Sequence, residues 1–494
     1  MAHTSPHAEA ACSDADMGSA LHVPYLPPEV HLIIARHIDL ADLPNYRLVS
    51  KSCAQIGAPE LFREIAFHCS SASMARVEAI NACEHLHKHV NTLVWDTNMW
   101  SIPNVRDYHE WVRYFKEKAA LRILRNWNWM LEPDQMLEIA HSHSEWEHYL
   151  DCVQDETAAK HWRHLEAFFG GFKNLYKLRV LNGAITTTSC GIEKTGVYVP
   201  KSEAPVAYYR GESLYNHDAI SLQRPGAWAF SVFERFESIT WRLTKLRMDG
   251  VHWEVFSITS RAIGKVPSLE QVLSFHLKII FENEPIRYCR GQAVEYPIAA
   301  ARFAFDQHLM EFLVKLPKLQ SLKLELARST HLCKKTLNLA PAVLHDIFSE
   351  DHIWTGLRKL SLGDIDTTCE ALLSLLERHR STLKILKLHN IWFERHDSDP
   401  LASQAELIME LPQLVVRMKE VLDFEKAKWS GWLGLTLDSA GDEIANVGWN
   451  LEDDVNVPSV AEYLVKGGVC PLNETNMCGR LGTESDTEGL IWVD

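Results

Sequence analysis

Basic side chains are in deficit. The 494-residue chain has 50 lysines and arginines against 65 aspartates and glutamates, a formal charge of −15. A chain of that sign repels a phosphate backbone, so no nucleic acid is expected as a partner, although a local basic patch can override the total. Paired cysteines are lacking too. The 11 cysteines are an odd number, scattered from Cys12 to Cys478 with no CxxC. That spacing excludes a dense disulfide scaffold or a zinc ribbon and suits reduced thiols inside a cell. No uninterrupted apolar run reaches bilayer-spanning length. The opening MAHTSPHAEAACSDADMG has neither the basic n-region nor the apolar h-region of a secretory signal. The expectation is a soluble protein of the cytoplasm or nucleus, with no membrane partner.

Signatures of bond chemistry are missing as well. No GxxxxGK[ST], HExxH or GxSxG occurs. Cys83, His85, His87 and His89 are the densest cluster of ligand types, but Val90 begins a strand pattern there, which spoils a shared helix face for a metal. His141, His143 and His148 lie near Glu145 and Glu147 in a polar segment without clear period, which reads as a solvated loop. Trp95, Trp111, Trp354 and Trp392 fall at or beside apolar pattern positions and read as core. Trp127 and Trp129 fit no pattern and are candidates for a recognition surface. The expectation is no enzyme, no catalytic residue, no metal and no cofactor.

What is present is apolar material for a large core, 46% hydrophobic against 23% charged. Residues 1–24 are rich in Ala, Ser, His and Asp and read as a disordered tail. Residues 25–68 are dense in helix signals. Pro27 and Pro28 suit a first helical turn, and Glu29 complements the helix dipole. Val30, Ile33, Ile34 and Ile38 form one stripe. Leu43, Tyr46 and Val49 suggest a second short helix, with Pro44 near its start. Ser50 can cap a third that stops before Pro59. So small a module buries little by itself and needs a body or a partner to cover it.

Residues 69–400 carry a recurring phrase: apolar, two others, apolar, one other, apolar. It occurs from Val90 through Leu93 and Trp95, then at Leu175, Leu178 and Val180, and at Leu243, Leu246 and Met248. It returns at Leu319, Leu322 and Leu324, at Leu357, Leu360 and Leu362, and at Leu383, Leu386 and Leu388. Helical spacing fills several intervals, as at Tyr108, Trp111, Val112 and Phe115, or Phe305, Leu309, Phe312 and Leu313. A helix from Ser73 to His89 is also expected. Thr367 and Glu370 have capping-box spacing ahead of Leu372, Leu373 and Leu376. Strand, helix, strand over short connections implies parallel neighbours. Near 184–230 the pattern breaks into Thr, Ser, Gly and Pro, read as an insertion that shapes a surface or as a dispensable linker. Residues 401–494 read as a C-terminal cap and tail, with a helix over 405–428 broken or restarted at Pro412 and a possible strand at Leu433, Leu435 and Leu437.

Two resemblances follow from these residues. Leu26-Pro27-x-Glu29-Val30, Ile34, Ile38, Asp42-Leu43 and Leu48-Val49-Ser50-Lys51 resemble an F-box. Leu61-Phe62-Arg63-Glu64-Ile65 and the segment from Glu462 to Leu472 resemble fungal F-box proteins. The chain departs at Cys53, where many F-boxes have Trp, so a smaller side chain there would weaken the adaptor grip. The strand phrase resembles that of leucine-rich repeats. The resemblance implies an α/β fold, a three-helix F-box followed by an irregular leucine-rich-repeat-like solenoid with a parallel sheet. It implies an adaptor subunit of a cullin–RING ubiquitin ligase as partner, held by Leu26, Pro27, Glu29, Val30, Ile34, Leu43 and Val49. It also implies an unknown target protein held by the repeat body. Lys177, Arg179, Arg247, Lys323 and Lys387 flank the strand phrases and read either as solubilising charge on an exposed sheet face or as candidates for target binding, the second pointing to an acidic or phosphorylated ligand. The function implied is a substrate receptor. The alternative is an F-box scaffold acting outside ubiquitin ligation.

Overall fold

The computed structural model describes residues 26–39, 42–68, 70–96, 105, 107–125, 133–159, 169–181, 233, 242–252, 256, 266–280, 307–327, 344–349, 351–394, 400–438, 444–451 and 459–473. The expected tail at 1–24, the insertion near 184–230, Phe305, and Trp127 and Trp129 lie outside these residues. The chain divides into two compact units, Met1–Leu61 and Phe62–Asp494.

The first unit is three helices, α1 (Pro28–His37), α2 (Leu43–Leu48) and α3 (Lys51–Leu61). Proline opens α1 and α2, where its missing N–H costs nothing. Ser50 caps α3 by accepting from Cys53 N at 3.0 Å. The helix continues past Pro59 instead of stopping before it. Pro59 lies in the last turn, so few intrahelical bonds follow it. The buried residues are mostly small: Ala35, Leu43, Cys53, Gly57 and Ala58. A Cβ on Gly57 would lie 2.8 Å from Arg47 Cγ, so glycine permits the close approach of α2 to α3.

The second unit is built on a ten-stranded sheet whose spatial order is its chain order. The strands are β1 (Glu64–His68), β2 (Thr92–Asp96), β3 (Lys177–Leu181), β4 (Lys245–His252) and β5 (Ser274–Ile280). They continue as β6 (Ser321–Ala327), β7 (Lys359–Thr367), β8 (Ile385–Glu394), β9 (Lys426–Asp438) and β10 (Ile444–Asn450). All neighbours from β1 to β9 are parallel, and only β10 runs antiparallel. The phrase is the register. Ile65, Leu93, Leu178, Leu246, Phe275, Leu322, Leu360, Leu386 and Ala427 form one row across the sheet. Phe67, Trp95, Val180, Met248, Leu277, Leu324, Leu362, Leu388 and Trp429 form the next. Because alternate residues face opposite sides, both rows point to one core.

β1, β5 and the start of β9 escape the leucine phrase. The boundary expected at residue 68 falls after Leu61, because Glu64–His68 pairs with β2 and joins the sheet. β5 carries the same spacing in Val272, Phe275 and Leu277. From residue 401 onward, Leu411, Val415, Trp429, Trp449 and Leu464 pack into the main core.

Helices supply the other side of that core. They include α4 (Ser71–Ala82), a helical run at 307–314, α9 (Leu344–Ile347), α10 (Cys369–Arg378), α11 (Pro400–Val421) and α12 (Val460–Lys466). The expected helix over 73–89 is two pieces, α4 and α5 (Glu84–His87), separated by the extended Cys83. Thr368 rather than Thr367 caps α10, accepting from Ala371 N at 3.1 Å, because Thr367 ends β7. Pro412 lies inside α11 without breaking it. Three further helices, α6 (Tyr108–Arg125), α7 (Pro133–His141) and α8 (His143–Ala159), enclose their own cluster around Trp111, Phe115, Trp146 and Tyr149. The expected loop at 141–148 is therefore the α7–α8 junction and the start of α8. Trp146 and Tyr149 anchor it, and its charged residues are the helix's outer side.

Past the middle of the sheet the strands bend at matched positions. Asp364, Asn390 and Gly431 take positive φ values of 55°, 48° and 73° on β7, β8 and β9. Asn390 Nδ2 donates to Asp364 Oδ1 at 2.9 Å. A Cβ on Gly431 would sit 2.0 Å from Asn390 Oδ1, so only glycine fits there. The bend leaves Ile365, Ile391 and Leu433 on the core side.

Candidate functional site

Two surfaces, one on each unit, carry the residues singled out by the sequence. On the first unit the side chains left outside are large and apolar. Leu26, Val30 and Ile33 are exposed at the start of α1, and Leu48 and Val49 at the end of α2 are 84% and 74% exposed. Val49 follows the last residue of α2, so its side chain stands off the helix pair. Pro27 and Glu29 are also exposed, and Ile34 is half-buried. Leu43 is different. It is only 1% exposed and serves the unit's own interior, so it has no surface to offer an adaptor. The spacing that links it to the helix stripe cannot separate inward from outward apolar residues. Ile33 and Leu48 are the missed members, both visible in the sequence as apolar residues within the same motif.

The unit's interior is tied together by a small polar contact. His31 Nδ1 lies 2.9 Å from Tyr46 Oη, and the phenol donates to the His31 carbonyl at 3.3 Å. Both bonds are satisfied when His31 carries its proton on Nδ1. Cys53 Sγ is 4.0 Å from the same nitrogen. Burial, and then the neighbouring Cys53, push the Tyr46 phenol above its ordinary pKa. Cys53 is 3% exposed, so the departure from Trp falls inside the unit and not on its exposed apolar side. Arg36 Nε to Glu60 Oε1, at 3.4 Å, ties α1 to α3.

On the second unit the candidates occupy the sheet face opposite the core. The register aligns Ala66, Val94, Arg179, Arg247, His276, Lys323, Ser361, Lys387 and Lys428 in one row of that face. It is chemically uneven. At the β1–β3 end, Ala66, Val94 and Leu181 form a small buried apolar cluster. Glu64 there accepts from Lys177 Nζ at 3.4 Å and faces Arg179 Nη1 at 3.5 Å.

In the middle, five residues of β4, β5 and β6 form a chain of compensated charge. Arg247 Nε donates to Asp249 Oδ2 at 2.5 Å. His276 lies between two carboxylates, 3.7 Å from Asp249 Oδ1 and 3.3 Å from Glu325 Oε2. Lys323 Nζ completes it, 2.6 Å from Glu325 Oε1. Burial pushes the Glu325 carboxyl up, but hydrogen bonds from His276 and Lys323, and their charge, outweigh it and hold the group at about 2.

The β7–β9 end is different. Lys387 and Lys428 are register partners, and Lys359 and Lys426 flank Ile385 one row earlier. Among the described residues none of these four has a carboxylate partner. Burial, then Lys359, Lys428, Lys426 and Lys323, press the Lys387 ammonium below its ordinary pKa. Of the five predicted target-binding residues, Lys177, Arg179, Arg247 and Lys323 are thus committed to ion pairs, and Lys387 alone belongs to the unpaired group. Lys359, Lys426 and Lys428 are missed by the sequence reading. The phrase Phe424, Ala427, Trp429 would have found the last two, but alanine hides it.

Elsewhere, Cys83 Sγ lies 3.2 Å from His85 Nδ1 at the surface. Among the described residues no group of three or more metal-ligand side chains converges, and no helix is long and apolar enough to cross a membrane. No protein-family model matches the chain, and no curated protein matches it.

Proposed function

We propose that the chain is the substrate receptor of an SCF-type cullin–RING ubiquitin ligase. The helices at 26–61 act as an F-box that grips the adaptor subunit, and the sheet unit is a leucine-rich-repeat body whose open face holds the target protein. The observation that carries this is the inverted packing of the first unit. Its interior is mostly small residues, while Leu26, Val30, Ile33, Leu48 and Val49 stand in solvent at the positions of the F-box motif. Large apolar side chains left in solvent favour an interaction surface. Each would contribute roughly 1.5–3 kcal/mol on full burial, offset by the entropy of association.

The chain would break and form no bonds. It would raise the effective concentration of a target lysine near the ubiquitin carrier, and proximity supplies the rate. In-register parallel strands make a stiff frame for that purpose, because each strand from β2 to β9 is hydrogen-bonded on both sides. The test is turnover. Proteins labelled by proximity to the chain in cells should include some whose half-lives lengthen when it is deleted. Adaptor binding with no stabilised neighbour would favour a scaffold outside ubiquitin ligation.

A further inference from the structure

The open sheet face sorts its charges. From β3 to β6 each cation on the central row is matched: Arg179 by Glu64, Arg247 by Asp249, and Lys323 by Glu325. From β7 to β9, Lys359, Lys387, Lys426 and Lys428 have no carboxylate partner among the described residues. Lys387 and Lys428 are direct neighbours, so their backbones are about 4.8 Å apart, and Lys359 and Lys426 lie two strand spacings apart, about 10 Å. The carboxylates nearest in sequence are already used. Glu425 holds Arg358 through two bonds of 3.1 and 2.9 Å, and Asp423 holds Lys384 at 2.9 Å. Like charges directly opposite on a sheet destabilise it. Nothing in the core requires lysine at these places, since Lys387, Lys426 and Lys428 are exposed.

We propose that Lys359, Lys387, Lys426 and Lys428 form the seat of an extended, aspartate- and glutamate-rich segment of a partner protein. The inference rests on the receptor reading, in which this face carries the target, and names the target's chemistry. Charge complementarity selects an anion. The residue type selects distributed carboxylates over a single phosphate. Phosphate recognition favours the planar fork of arginine, and the one arginine at this end, Arg358, is engaged by Glu425. Lysine is a flexible point charge, and here it is spread over three strands. An extended peptide presents same-side residues roughly 6.5 Å apart, a spacing that the lysine grid can follow. Among the described residues, no exposed Phe, Tyr or Trp on which a base would stack neighbours the four lysines, which disfavours nucleic acid.

The test uses the full-length chain and a fluorescent peptide alternating glutamate with serine, read by anisotropy at low salt. Binding should appear and weaken as salt is added. The variant with Lys359, Lys387, Lys426 and Lys428 all changed to Gln should bind about tenfold more weakly. Lys466→Gln, on α12, removes a charge elsewhere and should change nothing. If the fourfold variant folds poorly, Lys387→Gln alone should still weaken binding about twofold. Three results overturn the proposal: no binding, undiminished binding by the lysine variants, or tighter binding of a singly phosphorylated peptide or of oligothymidylate. None of these substitutions touches residues 26–61, so failure here with adaptor binding intact sinks this inference and leaves the docking reading standing.

Discussion

Lys387 and Lys428 face each other across β8 and β9 on the open side of the sheet, two like charges with no acid between them. A fold selected for stability alone would set opposite signs side by side, as the chain does on β6 with Lys323 and Glu325. The Lys428→Glu variant should therefore melt slightly higher, by about 1 °C, while losing affinity for an acidic peptide. A thermal melt beside a binding titration checks both. A variant that melts lower would mean that the lysines are structural.

The compensated charge in the middle of the sheet predicts an acid response. Glu325 is held at about 2, below the ordinary 4.5. A carboxyl depressed by folding stabilises the native state fully above its ordinary pKa, and that contribution is lost as the pH falls from about 4.5 towards about 2. Melting temperatures across that range should fall less steeply in Glu325→Gln than in the parent chain. Equal slopes would show that the His276 and Lys323 contacts do not persist in solution.

A second pH response comes from the core. His379 is buried, accepts from Trp354 N through Nε2 at 3.2 Å, and donates from Nδ1 to Leu375 O at 2.9 Å. Burial pushes its pKa down. The Leu375 carbonyl opposes that shift, and Arg378 and His352 reinforce it. A histidine with a lowered folded pKa favours the native state above about 6.5 and opposes it below, as the unfolded chain takes up the proton first. Stability should decline from about pH 6.5 downward. His379→Gln should be less stable near pH 8 but lose less on acidification, by about half or more, in denaturant melts at both pH values. An unchanged acid slope would assign that slope to other groups.

The parallel sheet is legible in the sequence because its register and the leucine phrase are the same physical fact. Six strands announce themselves as leucine-rich triplets. β1 and β5 do not, since Phe62, Ile65 and Phe67, and Val272, Phe275 and Leu277, keep the spacing but change the residue. The start of α8 is obscured for a different reason. It buries only Trp146 and Tyr149 near its start, so its polar outer side dominates the pattern. The sites are less legible than the fold. Spacing reports that Leu43 and Leu48 are apolar but not that one is buried and the other exposed. It reports that Arg247 and Lys387 are basic but not that Asp249 has already claimed the first. Those distinctions are made by neighbours distant in sequence.

Adaptor binding by residues 26–61 is the central claim, and titration calorimetry with a purified cullin–RING adaptor subunit tests it most directly. Leu48 and Val49 are exposed, so changing both to Asp should leave stability within about 0.5 kcal/mol. The parent chain should bind, and the double variant should lose at least about tenfold in affinity at unchanged melting temperature. Equal binding by the folded variant, or no binding by the parent chain, would contradict the account.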